Sequence, residues 1–447
     1  MNDIIKRYLL TFLITMLTLS VIIPNTTQAA ETLDIKAESA IIVDADTGKI
    51  LYEKNADAVI PPASMVKMMT EYLVLDAIEN GDITWDTTTQ ISDYAYSISG
   101  DSISSGIGLT QDKDYTVREL YNAMAINSDN GASIALAELI AGSEGEFVKR
   151  MNEKAVEMGI NDAKFVNSTG LNNEHLGENY PEGTNPNDVN YISARSTALL
   201  AFNLLKDHPE VLDTTKIPQT EFDGRTIDNW NWMLPHDSVN FKQFYYEGVD
   251  GLKTGHIDVE EDDFYNFTGT ALRNNQRLIT VVMKTDEETE GARFKETIKL
   301  LDYGFKFENQ ELFSAGYQLE GESEIPVAKG KEDVVTVSLG ESVSFPVKAG
   351  EEESYHIEYH IDESLLNEDG ELTAPIKKGD IIGTATVEYD GENGYGYIFP
   401  NGENEVNLVA DTTVEKANWF MLMLGAIGDF FANIFSTAVD WIMGLFS

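Results

Sequence analysis

Apolar and polar positions change rhythm along this chain, and each change marks an element. Lys6 and Arg7 precede an apolar run from Tyr8 to Ile23, closed by Pro24. Farther on, Ala40-Ile41-Ile42-Val43 and Lys49-Ile50-Leu51-Tyr52 read as short strands joined across Asp44-Ala45-Asp46-Thr47-Gly48, a Gly-ended hairpin loop. Helical patterning predicts a helix from Met65 to Asn80, closed by Gly81. Thr116-Val117-Arg118-Glu119 is a capping box opening a helix to about Ala125, and another helix is predicted from Ala132 to Ile140. Phe264 to Leu272 and Leu278 to Lys284 read as strands, and Ala292 to Phe305 as a helix. Helices mixed with antiparallel hairpins predict an α/β domain over residues 31–310, an antiparallel sheet covered by helices.

From residue 311 to 411 the helical rhythm disappears. Val334-Val335-Thr336-Val337, Val343-Ser344-Phe345-Pro346-Val347 and Ile382-Gly383-Thr384-Ala385-Thr386-Val387 are short strands between turn signals, which predicts a small all-β domain. Tyr355-His356-Ile357-Glu358-Tyr359-His360-Ile361 alternates strictly, so both histidines belong to the polar face of a strand and no metal site is expected there. Residues 412–447 form a last unit. Asp429, Asn433, Ser436 and Asp440 share one helical face, while Phe430, Phe431, Ile434, Phe435, Trp441, Ile442 and Phe446 occupy the others. Two aspartates interrupt what would otherwise be a spanning run, so an in-plane amphipathic anchor on a membrane surface fits better than a transmembrane helix. The polar face has no lysine, so burial of the aromatic face must drive its binding.

Composition narrows the function. The formal net charge is −45, spread along the chain, and residues 311–411 alone hold 23 Asp/Glu against 5 Lys/Arg. Such a chain repels nucleic-acid phosphates, and no basic cluster offsets that. With no cysteine, a disulfide framework, a Cys-ligated zinc and a thiol nucleophile are excluded. The first 30 residues, with Thr27-Gln28-Ala29 supplying small residues ahead of a cleavage point, read as a secretory signal peptide rather than a retained membrane helix. The protein is therefore expected outside the cytoplasm.

Three short motifs carry chemistry. In Ser64-Met65-Val66-Lys67 the lysine at i+3 shares a helical face with the serine, so its amine can reach the hydroxyl. A serine becomes a nucleophile when a base takes its proton, and a lysine serves if burial and nearby cations lower its pKa. Ser64 is the only serine in the chain with a lysine three residues on. Ser128-Asp129-Asn130 falls between two predicted helices, where Ser128 is placed to relay a proton and Asn130 to hold Lys67 and a substrate amide; taken alone, the tripeptide is also a good N-cap. Lys253-Thr254-Gly255 reads as a strand at a cleft edge, with Lys253 and Thr254 to bind a carboxylate and Gly255 to admit a substrate backbone. The backbone N–H groups of Ser64 and His256 are candidates for an oxyanion hole.

The order and spacing of these motifs match the serine acyl transferases that include penicillin-binding proteins and β-lactamases. Pro62-Ala63-Ser64-Met65-Val66-Lys67-Met68-Met69-Thr70, Phe165-Val166-Asn167-Ser168-Thr169-Gly170-Leu171 and Gly248-Val249-Asp250-Gly251-Leu252-Lys253-Thr254-Gly255-His256 narrow the match. The chain resembles a serine-type D-alanyl-D-alanine carboxypeptidase of the S11 peptidase family, a low-molecular-mass penicillin-binding protein, over essentially its whole mature length. The resemblance extends to Pro375-Ile376-Lys377-Lys378-Gly379-Asp380 in the β domain and to the terminal anchor. It implies a penicillin-binding/β-lactamase-like transpeptidase fold for the first domain. The implied substrate is the pentapeptide stem of peptidoglycan, cleaved through a Ser64 acyl-enzyme, with β-lactams as covalent inhibitors. Lys67 would then be the base, Ser128 and Asn130 the relay and amide holder, and Lys253 and Thr254 the carboxylate clamp. No cofactor or metal is needed, and the place of work is the outer face of the cytoplasmic membrane. Some family members carry an arginine between two asparagines ahead of the third motif; here the stretch is Asn229-Trp230-Asn231, and Trp230 cannot bind a carboxylate. Arg225 is near in sequence only.

Three other readings use the same motifs. A secreted β-lactamase needs a deacylating Glu with an Asn four residues on, but Glu174 is followed four on by Glu178. A D,D-endopeptidase would attack the same bond type in cross-links, and a penicillin sensor would acylate without turning over.

Overall fold

The computed structural model describes residues 33–100, 105–259, 262–287, 289–391, 394–399 and 405–418. The expected signal peptide and most of the expected amphipathic anchor lie outside the described residues. Among the described residues no helix is long and apolar enough to cross a membrane.

The first domain is built on a five-stranded antiparallel sheet. Its strands are β1 (Ala37–Asp44), β2 (Ile50–Lys54), β3 (Val249–Val259), β4 (Asp262–Arg273) and β5 (Gln276–Thr285), in the order β2-β1-β5-β4-β3. Strands β1, β4 and β5 are buried on both faces over most of their length because both faces are covered by helices. Ile41 and Val43 point into a large core shared with α1 (Lys67–Glu79) and α6 (Ala194–Asp207), whereas Ile42 packs on Gly304 at the end of α7 (Ala292–Gly304). Between α1 and α6 the chain forms α2 (Asp93–Ser99), α3 (Val117–Asn127), α4 (Asn130–Ala141) and α5 (Glu144–Glu157).

Helix α1 is the centre of this arrangement. Every residue from Lys67 to Leu75 is buried, so the helix is enclosed rather than amphipathic. The capping box at Thr116 and Glu119 forms as the sequence predicts, and α3 runs two residues past the expected end. The expected helix from Met65 is shorter at its start. Residues Ala63–Val66 make a 3-10 turn, and the α-helix begins at Lys67. Pro61-Pro62 and the left-handed Ala63, φ 53°, hold the entry too tightly for α geometry.

The second domain begins with β6 (Phe307–Phe313), which pairs with β9 (Val343–Lys348). A six-stranded sheet follows, built from β7 (Glu324–Ala328), β8 (Val334–Leu339), β10 (Tyr355–Ile361), β11 (Leu372–Thr373), β12 (Ile381–Tyr389) and β13 (Val406–Ala410), in the order β10-β12-β13-β8-β7-β11. Two small apolar cores, one around Val335, Val337 and Ile382 and one around Phe345, Val347 and Leu408, hold it together. Lys49 of the first domain reaches into the second. Its Nζ donates to the Pro346 carbonyl at 3.1 Å and to the Tyr355 hydroxyl, and it lies over the Tyr355 and Tyr389 rings.

Candidate active site

The first motif is held against the sheet edge by side chains the motif itself does not include. Asn266 of β4 donates to the Pro61 carbonyl at 2.9 Å, and the Thr268 hydroxyl lies 3.1 Å from Met65 Sδ. Gly255 of β3 faces the same turn so closely that a Cβ there would stand 2.5 Å from the Pro62 carbonyl oxygen. That contact by itself demands glycine at 255, whatever approaches from the substrate side. Gly170 meets the turn from another direction. With φ at +87°, it leaves no room for a Cβ, which would fall 2.0 Å from the Ala63 carbonyl oxygen.

Lys67 is fully buried on the first turn of α1. Its Nζ lies 3.1 Å from Ser64 Oγ, 2.7 Å from Asn130 Oδ1 and 2.6 Å from the Thr169 carbonyl. The Thr169 carbonyl is aimed by a turn that sequence reading singled out without giving it a task. Asn167 Oδ1 accepts from Thr169 N–H, the Thr169 hydroxyl and Gly170 N–H, while Glu144 accepts from Ser168 N–H and its hydroxyl. Burial, then the charge of Lys253, push the Lys67 amine well below the usual lysine range.

The second motif ends one helix and starts the next. Ser128 closes α3 in the left-handed conformation, φ 67°, and its Oγ is buried with no hydrogen-bond partner among the described residues. Asp129 caps α4 by accepting from Ala132 N–H at 2.6 Å; its other oxygen accepts from the Ser99 hydroxyl and Ile107 N–H. Asn130, the first residue of α4, turns to Lys67. The capping role thus falls to Asp129, which leaves Ser128 and Asn130 free for the cleft.

The third motif lies on β3, the edge strand of the sheet. An edge presents backbone groups to which an extended peptide can pair. Lys253 is 2% exposed, and its Nζ donates to the Thr254 carbonyl at 3.2 Å. Burial lowers its pKa to about 8, with Glu71 opposing and Arg293 adding to the shift. Thr254 is buried beside it. The His256 side chain turns to the surface, where its ring stacks on Tyr265 and Nε2 lies 3.0 Å from Asp263. Only its backbone is therefore offered to the cleft.

Trp230 donates from Nε1 to the Asn127 carbonyl, beside the second motif, and Asn231 Nδ2 reaches the Gly251 carbonyl at the start of β3. Arg225 is occupied elsewhere, donating to the Gly108 carbonyl. A cation missed in the sequence is Arg293 on α7. It is 3% exposed and donates to the Gly255 carbonyl at 3.0 Å. Its sequence signal was faint: one arginine in an amphipathic helix, 40 residues from the motif it serves.

A serine with a buried lysine at i+3, an amide and hydroxyl from an interhelical turn, and a Lys-Thr-Gly edge strand define a serine acyl transferase of the penicillin-binding class. Comparison with known proteins carries this further. The family profile described as D-alanyl-D-alanine carboxypeptidase, of peptidase family S11, matches residues 25–287, and the profile of the C-terminal domain of penicillin-binding protein 5 matches residues 307–416. The chain belongs to this S11 family of D-alanyl-D-alanine carboxypeptidases and is a serine-type peptidase. It is similar to the D-alanyl-D-alanine carboxypeptidase DacF of Bacillus subtilis (strain 168), 33% identical over 80% of this chain and 82% of that one. It is also similar to the crystal structure of a peptidoglycan synthesis regulatory factor, PBP3, from Streptococcus pneumoniae. There the identity is 38% and the TM-score 0.69, over 85% of this chain and 99% of the other. Penicillin-binding protein D2 from Listeria monocytogenes, solved in a cefotaxime-bound form, is 32% identical with a TM-score of 0.51, over 61% and 99% of the two chains.

Proposed function

We propose that this protein removes the terminal D-Ala from peptidoglycan stem peptides through an acyl-enzyme on Ser64. The observation that carries the assignment of roles is the contact of the Lys67 amine, buried and depressed in pKa, with Ser64 Oγ at 3.1 Å. Neutral Lys67 takes the Ser64 proton as Oγ attacks the carbonyl carbon of the D-Ala–D-Ala bond. The backbone N–H groups of Ser64 and His256 hold the oxyanion. When the C–N bond breaks, the proton passes from Lys67 through the Ser128 hydroxyl to the leaving amine. Water then hydrolyses the ester by the reverse route. Asn130 fixes Lys67 and the substrate amide. Lys253 and Thr254, with the field of Arg293 behind them, receive the terminal carboxylate in place of the arginine that Trp230 replaces. A β-lactam would acylate the same serine.

The test is release of free D-Ala from a peptide ending in D-Ala-D-Ala. One D-Ala per peptide, abolished by Ser64→Ala, is the expected result. Penicillin labelling of Ser64 without release would move the activity to cross-linked substrates or to sensing.

The amphipathic segment within 412–447 is proposed to hold the enzyme on the outer face of the cytoplasmic membrane. Its lysine-free polar face predicts co-sedimentation of the full chain with zwitterionic vesicles, lost on deletion beyond residue 418; binding that persists after deletion would refute the anchor.

A further inference from the structure

Three carboxylates act electrostatically on Lys67: those of Asp129, Glu144 and Glu71. Two are committed to other donors. Asp129 accepts from Ser99, Ile107 and Ala132, and Glu144 accepts from Ser168 and the Tyr94 hydroxyl. Glu71 is different. It lies on α1 four residues after Lys67, one helical turn along the same face. It is 1% exposed, and its Oε2 has no hydrogen-bond partner among the described residues. The helix that carries it packs against β3, and both Lys253 and Lys67 act on its carboxyl group, Lys253 more strongly. Neither lysine has a carboxylate within ion-pair distance among the described residues. The proposed chemistry makes no use of Glu71, yet burying a carboxylate is costly unless a charge compensates it.

We propose that Glu71 is a positioning residue: the shared counter-ion of Lys67 and Lys253, which sets which of the two lysines carries the proton. The inference rests on the roles given to those lysines above. Burial raises Glu71 to about 7 against the pull of Lys253 and Lys67; above that value, with Lys67 a free amine, Lys253 an ammonium and Glu71 a carboxylate, the buried group of three has no net charge. That is the state the reaction needs, with a base beside Ser64 and a cation for the substrate carboxylate. Without the carboxylate, the same proton count leaves a lone buried ammonium, and the low dielectric drives Lys253 to release its proton at lower pH. The other ionisable groups facing these three are Tyr121 on α3, whose buried hydroxyl also lacks a partner, Asp129, Glu144 on α5 and Arg293 on α7. Arg293 adds to the repulsion and so sharpens the need for a counter-ion.

The test is the rate of Ser64 acylation by penicillin against pH, in the full chain, for the native enzyme and for Glu71→Gln, Glu71→Ala and Glu71→Asp. In the two neutral variants both limbs of the profile should move to lower pH, on the order of one unit. Glu71→Asp should restore the limbs even where its rate is reduced. If Gln does not fold, Ala, which leaves space in place of the carboxyl group, reads the same shift. Limbs that coincide with those of the native enzyme, with only the height of the profile lowered, would make Glu71 structural and overturn the inference. So would failure of both neutral variants to fold while Asp folds with displaced limbs. A native enzyme that penicillin does not acylate would instead overturn the reading of the site.

Discussion

At the scale of single residues the proposed mechanism depends on two buried amines in different states. Lys67 is depressed by burial and by Lys253, so its free amine becomes available as pH rises. Lys253 is depressed to about 8 by burial and is proposed to work as a cation, so that contribution would be lost as pH rises through that value. Carboxypeptidase activity should therefore climb with pH on one limb and fall near 8 on the other. The two limbs can be separated. A substrate whose terminal carboxylate is replaced by an amide has nothing for the Lys253 charge to bind, so its slower hydrolysis should keep the rising limb and lose the alkaline fall. An alkaline fall that persists with the amide would remove Lys253 from the carboxylate clamp. The Ser-x-x-Lys spacing, the Ser-Asp-Asn turn and the Lys-Thr-Gly strand are all legible as residues in the chain. Arg293 and Glu71 are not, because a lone charge in a helix has no signature until the fold buries it.

At the scale of elements, Ser64, the proposed nucleophile, is positioned by contacts among a 3-10 turn, an edge strand and the Asn167–Gly170 turn. Helix ends were readable because capping is local: Thr116 with Glu119, and Asp129 with Ala132, lie three residues apart. The conversion of Ala63–Val66 to a tight 3-10 turn was not, since it depends on what presses on it from β3 and Gly170. The Gly170 contact gives a prediction. Gly170→Ala places a methyl group 2.0 Å from the Ala63 carbonyl oxygen, in a left-handed conformation that favours glycine. The turn must shift, and misplacement of Ser64 by even an ångström costs about 10²-fold in acylation rate. Penicillin acylation kinetics on folded variant protein check this. A rate within a few-fold of native would show that the turn yields without moving Ser64.

At the scale of the whole molecule, the β domain touches the first domain through Lys49, whose ammonium is buried among Tyr355, Tyr389 and the Pro346 carbonyl. Burial pulls its pKa down to about 8, with Glu351 and Asp44 opposing. Lys49→Ala removes the cation–π contact and the packed stem, at a cost of about 2 kcal/mol. Thermal unfolding should show a lowered or split transition, while penicillin acylation stays within about twofold of native because Lys49 takes no part in the site. An unchanged transition would mean that Lys49 contributes nothing to joining the domains. The acidity of the chain acts at this scale as well, since a formal net charge of −45 opposes the approach of polyanions.

The sequence by itself determined the class of chemistry, the division into helical and β-rich parts, and most helix and strand positions. These follow from short-range rules: side-chain period, capping, turn residues, and the spacing of a serine and its lysine. Only the tertiary structure decided how Ser64, Lys67, Asn130 and the Thr169 carbonyl converge, why Gly255 and Gly170 have no side chain, and which buried charges face one another. Residues 67 and 253 are 186 positions apart, and their electrostatic coupling exists only because β3 forms the sheet edge beside α1. A pKa set by burial and by distant charges cannot be read before the chain has folded.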